Sequence, residues 1–439
     1  MGERFTKKTT AKLLAASRFR VSLISPRRLD VVHLDAEAVR QVSLLKIQLV
    51  YPNPNSRSKL HGRKVDSSAL QLLAALTPPE HEVSIVAEHL GDDMIYDDSA
   101  DLVGITAMTI QTRRAYEIAD EYRRRGKRVV MGGIHVSVLP DEALAHADAV
   151  VIGEGERVWP TVIADAQARR LAQRYRADAL VDMSTLPLCR RDLSSKKSSF
   201  SITPVQAGRG CPYDCSFCSA TLFYGRTYRF RPVEQVIAEV KSLHTNFVFF
   251  LDDNIFSRPE YSRQLLRGLK EIDVKWIGQA SLHLSARDPD LLKLAQESSC
   301  VDLFVGIESL SEENLRASKS LAKNQSRTAA EIGASLNVLQ DNGIVVMAGV
   351  IFGFDGDDVE VFDRTADFLA DNHVGLASFS ALTPFPGTAL CAQLEAARIP
   401  CEQRNEAGKS TRHGSEPCSM NSSESALAYC AMPSVAAPN

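Results

Sequence analysis

The chain of 439 residues, 44% hydrophobic and with a formal charge of −3, can bury two sizeable cores and lacks the basic excess of a general nucleic-acid-binding surface. No apolar run reaches the roughly 18 residues of a membrane helix. Nine cysteines, odd in number and concentrated at 211–218 and in the last third, do not make a disulfide framework and suit a reducing, cytoplasmic setting.

Residues 1–41 are basic and contain Ser and Ala, a composition shared by disordered termini and organellar transit peptides; disorder is the expectation. From 42 to 175 short apolar runs alternate with helical ones. "LLKIQLVYP", "EVSIVAE", "ADLVGITAM", "KRVVMGG" and "ADAVVIGEGE" read as strands, and "DSSALQLLAAL", "QTRRAYEIADEYRRRG" and "VWPTVIADAQARR" as helices. Such alternation predicts a parallel, doubly wound α/β sheet, whose ligands sit outside the C-terminal strand ends. A polar linker at 176–199 follows. Residues 200–395 then give six further apolar strands, from "FSITPVQAG" to "LASFSALTPF", with helical segments between them. Six βα units predict a partial barrel, and the polar residues fall at its strand mouths: Cys211–Cys218 after the first, Asp252 and Asp253 after the second, Glu308 and Ser309 after the fourth. The stretch 396–439, rich in Ser, Asn, Pro and Gly, reads as an unstructured tail.

The segment "GRGCPYDCSFCSA" sets Cys211, Cys215 and Cys218 in C-x3-C-x2-C spacing. Structural zinc takes four protein ligands, and the sequence supplies no second C-x2-C pair. A [4Fe–4S] cluster bound through three cysteines leaves one iron open to a non-protein ligand. The bland alternative is three buried thiols acting as small hydrophobes.

With Phe217, these cysteines form C-x3-C-x-aromatic-C, and the chain from about 42 to 395 resembles the radical S-adenosylmethionine (SAM) superfamily, in its cobalamin-binding branch. The resemblance implies that SAM occupies the open iron and is cleaved reductively to a 5′-deoxyadenosyl radical, with the electron coming from an external donor such as flavodoxin or ferredoxin. It assigns Asp252 and Asp253 of "FLDDN" to the SAM ammonium, Glu308 and Ser309 of "GIES" to the ribose, and Gly349, Ile351 and Gly353 of "GVIFGF" to adenine. It likewise implies an N-terminal Rossmann-like module that holds cobalamin through Gly132, Gly133, His135, Gly153, Glu154, Gly155 and Glu156. The D-x-H-x-x-G motif that ligates cobalt through histidine is missing, and His61 in "SKLHGRK" has neither the Asp nor the spacing.

Methyl transfer to an unactivated carbon of a small molecule is the implied reaction. Its rivals are a cobalamin-assisted rearrangement or cyclisation without methyl transfer, and a degenerate cobalamin- or SAM-binding protein without activity. An RNA methylthiotransferase would carry a further cysteine-bearing domain and a basic RNA-binding module, neither of which the sequence contains.

Overall fold

Two six-stranded sheets, each wholly parallel, account for both strand series. The computed structural model describes residues 44–53, 66–194, 202–320 and 328–397, with a short antiparallel pair at Gln403–Arg404 and Ser410–Thr411. The expected disordered N-terminus, His61 and most of the expected unstructured tail lie outside the described residues.

The first sheet contains β1 (Lys46–Tyr51), β2 (Glu82–Ala87), β3 (Leu102–Thr106), β4 (Arg128–Gly132), β5 (Ala149–Ile152) and β6 (Arg174–Arg176), in the order β2-β1-β3-β4-β5-β6. Strand alternation divides its side chains between two cores, as a sheet covered on both faces requires. Leu49, Val130 and Val151 pack with Leu70 and Trp159 on one face, while Val50, Val129, Met131 and Val150 pack with Ile118 and Tyr122 on the other. The helix Thr112–Arg124 buries Ala115, Ile118, Ala119 and Tyr122, a stripe at helical spacing. The order reverses between β1 and β3, so the switch-point crevice opens at Tyr51 and Thr106. Short β6 was not anticipated: only Tyr175 of its three residues is buried, too little for a periodic signal.

The second sheet runs β7 (Thr203–Val205), β10 (Phe247–Phe250), β11 (Lys275–Ala280), β12 (Cys300–Glu308), β13 (Val345–Phe352) and β14 (Leu376–Ala381) in sequential order. Between β7 and β10 lies a two-residue hairpin pair, β8 (Gly208–Arg209) with β9 (Arg229–Phe230). β7 and β14 are the edges and do not pair with each other, so the sheet is open. Helices such as Val233–Ser242, Pro259–Lys270 and Ala329–Asp341 cover one core around Phe250, Trp276 and Leu303. The last of these starts at a reciprocal cap in which Thr328 and Glu331 satisfy each other's backbone N–H groups. Among the described residues no helix is long and apolar enough to cross a membrane.

Candidate active site

The cysteine loop leaves β8 through Gly210, whose φ of 92° is in the left-handed region and whose missing Cβ would collide with the Thr227 carbonyl. Cys211 is buried and Cys215 and Cys218 are half-buried, none in a disulfide. Phe217 is also half-buried. Ser216, in the middle of the loop, is held on both sides: its N–H donates to the Ser318 carbonyl at 2.9 Å, and its carbonyl accepts from the Leu390 N–H at 2.9 Å. Among the described residues no three His, Cys, Asp or Glu side chains converge on a single ion. Thiolates that bind separate irons of a cubane stand further apart than donors to one ion, and three soft donors on one loop match that ligand set.

At the mouth of the second sheet, the adjacent aspartates divide their work. Asp253 accepts the Gly210 N–H at 3.1 Å and so braces the cysteine loop. Asp252 is 1% exposed, and both its oxygens are engaged, by the Ala207 N–H at 2.9 Å and the Tyr228 hydroxyl at 2.8 Å. Burial pushes its carboxyl up to about 7; those two donors offset part of the rise and neighbouring Asp253 adds to it. Asp252 is an enclosed brace of the hairpin, with each oxygen engaged by a protein donor.

Glu308 ends β12 with a φ of 66°, where the register against β13 shifts. A non-glycine residue held there stores of order 1–3 kcal/mol of strain, a common feature of functional sites. The Ser309 hydroxyl accepts from the Ser311 N–H and the Asn314 amide, both at 3.2 Å. Asn314 in turn donates to Asp357 at 2.8 Å, and Asp357 receives the Gly353 and Phe354 N–H groups at 2.8 and 3.0 Å. Ser309 and Gly353 thus belong to one brace joining the ends of β12 and β13, which sequence reasoning missed. A Cβ on Gly349 would lie 2.6 Å from the Phe304 ring. The absence of a side chain there leaves room for Phe304. Ile351 lies half-buried beside Ser380 of β14.

Gly132, Gly133, Gly153, Glu154, Gly155 and Glu156 all line a cavity of about 110 Å³ at the ends of the first sheet, whose far wall is Arg209, Phe223 and Tyr224 from the cysteine segment. The same three residues wall a cavity of about 400 Å³ that reaches Tyr51, Gln111 and Leu251. The glycine-lined strand ends and the cysteine hairpin thus face each other across one cleft.

His135 is not part of that lining. Its buried ring meets Thr109 through Nδ1 at 3.3 Å and Glu142 through Nε2 at 3.2 Å, as in a satisfied core histidine. Glu154 borders the cleft, and its carboxylate is bound by Arg209 at 2.8 Å, Arg229 at 3.0 Å and the Val181 N–H at 2.8 Å. Burial opposes its ionisation, yet the two guanidiniums and the amide outweigh that and hold it below the usual carboxylate range.

Residues 205–369 match the model of the radical SAM superfamily, and residues 81–163 that of the B12 binding domain. Over 337 residues the chain is 32% identical to bacteriochlorophyllide d C-8(2)-methyltransferase of Chlorobaculum tepidum, covering 73% of this chain and 74% of that enzyme. Over 373 residues it is 32% identical to the C-12(1)-methyltransferase of the same organism, covering 81% and 79%. The fold is shared with the radical SAM methyltransferase TsrM from Kitasatospora setae, solved with cobalamin and a [4Fe–4S] cluster, at a TM-score of 0.64 and 18% identity over 82% of this chain and 76% of that one. The chain is an enzyme that belongs to the radical SAM superfamily, in the branch carrying a cobalamin-binding domain.

Proposed function

We propose that this enzyme cleaves SAM reductively at a [4Fe–4S] cluster held by Cys211, Cys215 and Cys218, and transfers a methyl group to an unactivated carbon with the help of a corrin in the cleft. One observation carries the reading: the cysteine hairpin and the glycine-lined ends of the first sheet are opposite walls of the same cavities. When bound, the cluster supplies an electron to the sulfonium and the corrin carries the methyl group.

The chain's own part is placement. Asp253 and Gly210 fix the loop, Glu308 offers a carboxylate at the fourth strand mouth, and the β13 segment through Ile351 offers a flat apolar edge. Relatives named for methylation of bacteriochlorophyllide d support a tetrapyrrole side-chain carbon as the acceptor; the electron source in this reading is an external donor such as flavodoxin or ferredoxin.

The test is anaerobic reconstitution with iron, sulfide and cobalamin, followed by methyl-labelled SAM and bacteriochlorophyllide. Expected products are 5′-deoxyadenosine, S-adenosylhomocysteine and labelled pigment; 5′-deoxyadenosine without S-adenosylhomocysteine favours rearrangement or cyclisation instead. Cys211→Ala, Cys215→Ala or Cys218→Ala abolishes the cluster absorption, and zinc uptake in place of iron would overturn the cluster. Glu308→Ala leaves the cluster spectrum intact and weakens SAM binding about ten- to a hundredfold, the worth of a charge-assisted hydrogen bond.

A further inference from the structure

Arg209 lies between the two glycines that shape the cysteine loop, yet its guanidinium is bound by the other sheet's loop. It meets Glu154 at 2.8 Å and Glu156 at 2.7 Å, with side chains 6%, 1% and 10% exposed respectively. Its Nε donates to Gln206 at 2.8 Å, and the Tyr224 ring lies 5.8 Å from its guanidinium carbon. Arg229, across the hairpin, closes the group with two 3.0 Å contacts to Glu154. Two cations and two anions make a neutral unit that is almost out of water.

Buried ion pairs add little stability relative to apolar contacts of the same volume. Apolar contact is non-directional and tolerates sliding, whereas a guanidinium forked between two carboxylates fixes direction and distance. Both carboxylates flank Gly155 on the cleft wall, and Arg209 is two residues from Cys211 and lines both cavities. The tie therefore joins the wall on the cofactor side directly to the cluster loop.

We propose that Arg209 is a positioning residue: pinned by Glu154 and Glu156, it sets the spacing between the cysteine loop and the cofactor cleft. The pinning stands on the geometry alone; its effect on cofactor spacing rests on the reading given under Proposed function. Groups that act in sequence in one pocket lose rate steeply when their spacing drifts.

The pinning is tested on the full chain before any cofactor is loaded, by amide hydrogen exchange in Arg209→Lys, Glu154→Gln and the milder Glu156→Gln. Amides of 153–157 and of 208–211 exchange faster together, on the order of tenfold or more, while β11–β13 stays protected. Wild-type exchange in all three variants, or a rise on one side only, overturns the proposal. The spacing is tested after reconstitution with iron, sulfide and cobalamin, by the electron paramagnetic resonance coupling between the reduced cluster and cob(II)alamin. At unchanged iron and corrin content the coupling broadens in the variants, a change that a merely stabilising contact would not produce; wild-type coupling overturns the spacing role. If the wild type takes up neither iron nor corrin, the functional reading falls while the exchange experiment still decides the pinning.

Discussion

The seam between the two sheets and the mouth of the second sheet each bury a carboxylate, Glu154 at 4% exposure and Asp252 at 1%, and treat it in opposite ways. The seam delivers two guanidiniums to Glu154, which stays ionised despite its burial. The mouth gives Asp252 only neutral donors and a neighbouring acid, so burial prevails and the group titrates near neutrality. A buried charge persists where a distant element supplies its counterion; without one, depth itself moves the proton. The first arrangement is a fixed mechanical joint and the second a brace whose protonation follows pH.

The largest effect separating the two is expected from Glu154→Leu. It strands two buried guanidiniums without their shared anion and costs about 3–5 kcal/mol, read as a lower urea midpoint at an unchanged slope.

Asp252→Asn comes next and acts through pH. The folded state holds the Asp252 proton up to about 7, whereas the unfolded chain releases it near the ordinary carboxylate value of about 3.9. Its contribution to stability is therefore fully present below the unfolded value and is lost as pH rises to about 7, at roughly 1.4 kcal/mol per pH unit. Asparagine can keep both contacts, accepting from Ala207 and donating to Tyr228, without titrating. Urea unfolding from pH 5 to 8 should show a flatter profile for the variant, which overtakes the wild type above neutrality. Identical profiles would break the contrast.

Tyr228→Phe is expected to be smallest, about 1 kcal/mol for one hydrogen bond, with the Asp252 titration displaced further upward in the same series. Should it cost as much as Glu154→Leu, the two regions would not differ in kind.

What was legible in the sequence was local. The spacing of Cys211, Cys215 and Cys218, the glycines at 132–133 and 153–155, and the two alternations of strand and helix are all local patterns, and the glycines and the alternations have their counterparts in the folded molecule. The ionic seam was not legible, because Glu154 and Arg209 are 55 residues apart and an acid or base beside glycines reads like any solvated turn. The one available signal was a lone cation inside the glycine-flanked "GRGC". Asp252 and Asp253 are adjacent and chemically alike; only the direction in which each leaves the strand end separates an enclosed brace from a loop anchor. The contacts of His135 with Glu142 and of Gly349 with Phe304 join residues that no local pattern pairs. The β8–β9 hairpin is two residues deep and carries no period at all.

The double hold on Ser216 also bears on the order in which the enzyme is made. A ribosome releases the cysteine loop long before it reaches Ser318 and the helix Ala389–Ala396, the two elements that complete the loop's backbone bonding. Domains fold N-terminal first as they emerge, so during synthesis the first sheet is already formed while the loop still lacks both clasps. The clasp from Leu390 thus makes the backbone bonding of the cysteine loop depend on the helix Ala389–Ala396, far downstream in the chain.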